Sequence, residues 1–195
     1  MEAVMDQSAQ TATSTLDPHA QEQEPQIDPG KVAALQARLE REQNLPLGVT
    51  AGAIAALLGA VVWATITVAT EFQIGWMAIG VGFLVGFAVR MFGKGVSQPF
   101  GYFGAGLALV GCLLGNLLSA CGFIAQQEPS AALLDVTLGV LSQPAVAAEI
   151  MRLTFTPIDL LFYGLAVYEG YRLSFRELTE TDVAELVTVG DATPR

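Results

Sequence analysis

An all-α membrane protein is the fold class this sequence predicts, a bundle of four transmembrane helices behind a disordered acidic N-terminal tail. Three observations predict it. Of 195 residues, 52% are hydrophobic and only 14% charged, and the mean hydropathy is +0.50, too apolar for an ordinary soluble domain. Nearly uncharged runs of about 20 residues, the helical length that crosses a hydrocarbon core of about 30 Å, recur along the chain. The few basic residues cluster at one set of ends of those runs. The balance of 19 acids against 9 bases excludes a nucleic-acid binder, because phosphate recognition concentrates Lys and Arg.

Residues 1–30 hold Glu2, Asp6, Asp17, Glu22, Glu24 and Asp28 with no Lys or Arg, a composition that cannot bury a core and is expected to be disordered. They lack the basic start and apolar stretch of a cleavable signal, so the first span is expected to act as an uncleaved insertion signal. Residues 31–45 form a juxtamembrane amphipathic helix. Asp28 and Pro29 give its start signal, and Val32, Leu35 and Leu39 recur on one face suited to a membrane surface. The membrane domain covers residues 46–176. Its first span, 47–70, is uncharged and follows Pro46, which a helix start tolerates. Residues 71–73 leave room only for a tight hairpin into the second span, 74–92, charged at Arg90 alone. The third span, 101–125, is uncharged and longer than the core requires, so it is expected to tilt.

The external loop, 126–156, is not uniformly polar. Its apolar segment 130–141 reaches only about 18 Å as a helix and cannot cross, so it is expected to lie in the interface or cap the bundle, with a re-entrant loop as the alternative. Pro144 restarts a second short helix, on which Glu149 and Arg152 stand at i and i+3 and can pair. The fourth span, 157–175, opens on Thr156, Pro157 and Asp159, a capping pattern with an anion at the positive end of the helix dipole. Residues 177–195 form a second acidic tail.

Lys31, Arg38 and Arg41 precede the first span, Arg90 and Lys94 separate the second from the third, and Arg172 and Arg176 end the fourth, leaving Arg152 on the other side. Because Lys and Arg near span ends are retained inside, both termini are expected to be cytoplasmic. Packing is written in small residues. Gly48, Gly52, Ala56, Ala60 and Ala64 stripe the first span, Ala78, Gly82 and Gly86 the second, and Gly104, Ala108, Gly111, Gly115, Ser119 and Gly122 the third. Such stripes let helix backbones approach, first within one bundle and then, on a leftover face, between copies. Trp63 and Trp76, with Phe72 at the hairpin tip, are expected to anchor the outer interface; Tyr102 and Tyr171 are expected to anchor the inner one.

Ionisable groups inside a membrane are costly, and each is a candidate for function. Asp159 starts the fourth span. Glu169 lies deeper and is expected to pair with Arg172 three residues later or with Arg90 across the bundle. Asn116 is the amide inside the third span, suited to hydrogen bonding between helices. Tyr163 and Tyr168 extend a polar side of the fourth span. No enzyme is expected: His19 sits in the tail, Cys112 and Cys121 form no CxxC pair, and no metal-ligand cluster, P-loop or dinucleotide fingerprint is present. No cofactor is implied.

The hairpin WATITVATEFQIGWMAIGVGFLVGFAVR (63–90), the Gly-rich third span and TPIDLLFYGLAVYEGYR (156–172) together resemble a loose family of uncharacterised four-span bacterial inner-membrane proteins. The resemblance reaches residues 47–176 and implies no functional residues. The expected role is therefore non-catalytic: an accessory or scaffolding subunit, such as an immunity or complex-assembly protein, working through a membrane-protein partner or a second copy. A small oligomeric channel or transporter using Glu169, Asp159 and Asn116 is the alternative.

Overall fold

The computed structural model describes residues 26–127 and 132–188, which fall into two units. The larger, residues 36–177, is helical throughout its regular structure. Helix α1 (Pro29–Glu42) ends in it. Asn44 then caps helix α2 (Leu45–Thr70), its side-chain oxygen accepting from the Leu47 amide at 3.0 Å, with Pro at the first turn where no N–H is missed. Helix α2 stops at Glu71, which takes the left-handed conformation at φ 58°. Helices α3 (Trp76–Gly93) and α4 (Gln98–Gln127) follow, separated by a turn at Lys94, φ 49°, whose amide returns to the Arg90 carbonyl. Helices α5 (Leu133–Leu141) and α6 (Pro144–Thr154) form a bent pair at 105°, and α7 (Pro157–Arg172) closes the bundle.

Helices α2, α3 and α4 are long and apolar enough to cross a membrane, and the bent α5–α6 pair raises the number to four if it counts as one span. This suggests a membrane protein. The distribution of side chains agrees, being the inverse of a soluble fold. Large apolar groups such as Leu57, Leu58, Phe83, Phe87, Val110 and Leu161 are exposed around the bundle, whereas the interior collects Gly, Ala, Thr67, Asn116 and Ser119. Helix α7 has 16 residues against the 19 expected for 157–175, and at about 24 Å it is the shortest of the four bundle helices.

The four helices pack with α3 and α4 side by side and α2 and α7 in the two flanking grooves. Glycine sets the spacing. A Cβ on Gly82 would strike the Ala166 backbone, one on Gly86 would come within 2.8 Å of Leu173 Cβ, and one on Gly104 would collide with Ser174 and the Gly170 carbonyl. Across the bundle, Gly48 meets the Gly93 backbone, Gly52 meets Val89 and Leu107, Gly111 meets Val81 and Ala56, and Gly115 lies under the Trp63 ring. Both GxxxG matches, Gly82 with Gly86 and Gly111 with Gly115, therefore face seams within this chain. The loop helices pack on α4, where Val140 joins Leu117 and Cys121 beside Ile150 and Met151. The Glu149 and Arg152 side chains meet through two hydrogen bonds, 2.7 and 2.9 Å.

The end of the bundle opposite the α2–α3 hairpin is strapped by polar contacts. Gln43 Oε1 accepts from the Val96 and Ser97 amides and the Ser97 hydroxyl, and the Asn44 amide donates to the Gly93 carbonyl. Past α7, the Arg176 amide donates to the Gly95 carbonyl and its guanidinium to Glu42.

The second unit draws on residues 26–35 and 178–188 among those described. Gln26–Ile27 (β1) pairs antiparallel with Val187–Thr188 (β2), and helix α8 (Glu180–Leu186) opens with Asp182 accepting from the Thr179 amide at 3.0 Å. Of residues 1–30, for which disorder is expected, 26–27 pair in β1 and 29–30 begin α1, while residues 1–25 lie outside the described residues. On α1, Leu35 and Leu39 are buried as the amphipathic pattern requires, while Val32 is exposed.

Candidate functional site

A set of buried polar side chains lies at the hairpin end, where α2, α4 and α7 meet. Helix α7 begins with a capping box. The Asp159 carboxylate accepts from the Thr156 amide at 2.7 Å and from the Thr156 hydroxyl at 2.8 Å, which fixes the first turn and holds Asp159 at 4% exposure. One turn on, the same face presents Tyr163, buried edge-on against Trp63 and Phe155 with ring centroids 6.4 and 5.8 Å away. Trp63 and Thr67 lie at i and i+4 on α2 and both are 1% exposed.

Asn116 of α4 completes the cluster. Its Oδ1 accepts from Gln73 Nε2 at 3.2 Å in the hairpin turn, and its Nδ2 donates to Thr154 Oγ1 at 3.3 Å at the end of α6. The amide therefore ties three segments together, the bonding between helices expected of it. The Tyr163 hydroxyl lies beside Asn116, Asp159 and Cys112. Yet Trp63 Nε1 and Thr67 Oγ1 are buried with no hydrogen-bond partner among the described residues, and the buried Tyr163 hydroxyl has no well-formed bond, although the Asn116 side chain is near it. Leaving such a group unpartnered costs about 1–3 kcal/mol, so the pair on α2 beside Tyr163 calls for an explanation.

Two expectations are corrected here. Trp63 is not an interfacial anchor; the Gly115 gap admits its indole into the core, while Trp76, 71% exposed and packed on Phe162, and Phe72 keep the exposed positions foreseen for them. Tyr102 and Tyr171 sit ring to ring at the opposite end, 5.7 Å apart. The expected Arg90–Glu169 pair is replaced by Arg90 with Glu177, Nη1 to Oε1 at 2.8 Å. Register is the reason. Gly82 against Ala166 and Gly86 against Leu173 set α3 and α7 so that Arg90, one turn past Gly86, faces the segment after the helix. The bond and charge of Arg90 hold the Glu177 carboxyl below its ordinary range. No hydrogen bond or ion pair among the described residues joins Glu169 to Arg172. Asp159 and Asn116 are thus brought together, and Glu169, Arg172 and Arg90 stand at the other end.

Sequence reasoning named Asp159, Tyr163 and Asn116 but not Thr67, Gln73 or Thr154, and it placed Trp63 elsewhere. The stripe of small residues on α2 held the signal. Continued from Ala56 and Ala60 at helical spacing, it runs through Trp63 and Thr67.

A second feature is an apolar groove of about 580 Å³ on the side of the bundle between α2 and α4, bounded by Leu133 of α5. Its walls include Ala64, Ala69, Gly122 and Ala125, and Gly122 lies at its floor against Val68 of α2. Among the described residues, no group of three or more His, Cys, Asp or Glu is arranged to hold a metal ion. No protein-family model, curated protein or solved structure matches the chain.

Proposed function

We propose that the chain is a non-catalytic accessory or scaffolding protein of a bacterial inner membrane, crossing it four times with both termini in the cytoplasm. On this reading α7 is the fourth span. Support comes from its seams, parallel with α3 and antiparallel with α4, and from Leu160, Leu161 and Leu165, exposed outward like the apolar surface of the other three helices.

The observation that carries the functional reading is the lateral groove between α2 and α4. Within a bilayer, helix association gains little from the hydrophobic effect and depends on close packing over small residues. A notch walled by Ala64, Ala69, Gly122 and Ala125 receives a transmembrane helix of another protein, and Gln126 at its margin offers that helix a hydrogen bond. The test is affinity purification of the full chain from its native membrane in mild detergent, with intact-complex mass. A stoichiometric second protein, lost when Ala64→Leu and Ala125→Leu fill the groove while the thermal midpoint of the free protein holds, is the expected result. Recovery of a homo-oligomer alone would overturn it. The channel or transporter reading rests on the buried cluster around Asn116 and Asp159, and such an oligomer passing ions into liposomes would establish it instead.

A further inference from the structure

From the unsatisfied Trp63 and Thr67 groups and the Tyr163 hydroxyl at the hairpin end we infer that the bundle contains a binding site for a small neutral molecule that accepts hydrogen bonds through oxygen. Trp63, Thr67 and Tyr163 are each more than nine-tenths buried: the indole N–H and the Thr67 hydroxyl stand without partners on adjacent turns of α2, and the Tyr163 ring packs edge-on against Trp63 with its hydroxyl near Asn116. The chemistry of the ligand follows from theirs. An indole N–H only donates, so it disfavours a cation and calls for an acceptor. The neighbouring Asp159 carboxylate repels an anion. What remains is a neutral oxygen: the hydroxyls of Thr67 and Tyr163 can rotate to donate to it or accept from it, while Trp63 donates.

Access is at the hairpin. Asn116 bonds to Gln73 of the exposed hairpin turn and to Thr154 at the last residue of α6, so on this side the cluster is covered by a turn and a helix end. Water and a polar solute such as a polyol share the required chemistry, and they are separable by experiment.

The chain has two tryptophans, so uniformly nitrogen-labelled protein in lipid nanodiscs gives two indole N–H resonances, and Trp76→Phe leaves that of Trp63. The expected result is a cross-peak from the Trp63 indole proton to a non-protein proton. Titration with glycerol assigns the source: a saturable shift of the indole resonance identifies a solute site, and an unmoved resonance with a water cross-peak identifies resident water. Thr67→Val and Tyr163→Phe supply the second arm, since each deletes one hydroxyl with little change of shape. If the hydroxyls hold a ligand, each variant lowers the thermal midpoint and weakens the cross-peak. If they sit dry and unpaired, removing them leaves the midpoint equal or higher, because an unpartnered polar group is worse than an apolar one. Absence of the cross-peak, or a midpoint that does not fall in either variant, overturns the inference.

Discussion

Gly82 and Gly80 lie on the same helix two residues apart and show how sharply the bundle distinguishes positions. A Cβ at Gly82 meets the carbonyl and Cα of Ala166, which are backbone atoms that no rotamer change can move aside, whereas nothing lies within 4 Å of one at Gly80. Gly82→Leu is therefore expected to destabilise by about 3 kcal/mol, the upper range for overpacking, and Gly80→Leu to leave the thermal midpoint unchanged. Thermal unfolding of both variants in the same detergent checks this, and equal midpoints would mean that α3 and α7 do not meet at this seam. Asp159 gives the matching lesson for polar residues. Read along the sequence it is a costly carboxylate in a span; in the structure it accepts two hydrogen bonds from Thr156, closing the helix start.

At the scale of elements, the segment after α7 does what the helix itself was expected to do. Arg90 pairs with Glu177 and Arg176 with Glu42, so the end of the bundle is fastened by residues past the last helical turn. Exposed pairs of this kind contribute little to global stability, and Glu177 is 77% exposed, so the effect is local ordering. Its pH dependence has a definite sign. Because the folded carboxyl titrates below its ordinary value, the attachment is complete above the ordinary carboxylate range and is lost as pH falls through the lowered value. Hydrogen exchange at the Arg176 amide, corrected for its intrinsic rate, is expected to lose protection over that interval. Glu177→Gln is expected to reduce protection already at neutral pH, leaving the contributions of Glu42 and of the bond to Gly95. Protection unchanged in that variant would show that the Arg176 amide is held by its bond to Gly95 alone.

For the whole molecule, the membrane reading rests on three helices long and apolar enough to cross and on large apolar residues exposed around them, with Gly and Ala lining the seams beside a core that includes Trp63 and Phe100. The four-span proposal makes α7, though only 16 residues long, cross with the others, and local thinning or tilt of neighbours accommodates a short helix at modest cost. A reporter active only in the periplasm is expected to signal when fused after Gln73 or within residues 126–156, and to be silent after Lys94 or Arg176. Activity after Arg176 would mean that α7 does not cross, and the reverse pattern throughout would invert the orientation.

The sequence by itself determined the helices and their order, because hydropathy, Pro and Asn signals act within one turn of the chain. Residues 47–70, 74–92 and 101–125 foretold α2, α3 and α4 to within three residues at each end. The two loop helices and the Glu149–Arg152 pair were equally legible, for they depend on neighbours three or four positions away. Of the site, Asn116, Asp159 and Tyr163 could be singled out because a polar group in an apolar run stands out against its neighbours. Tertiary structure alone decided that Trp63 turns inward over Gly115, that Arg90 meets Glu177 instead of Glu169, and that Gln73 and Thr154 reach Asn116. Each of these depends on the axial register and rotation of one helix against another. Those are set by which small residues meet across the seams, a relation between distant segments that no local pattern encodes.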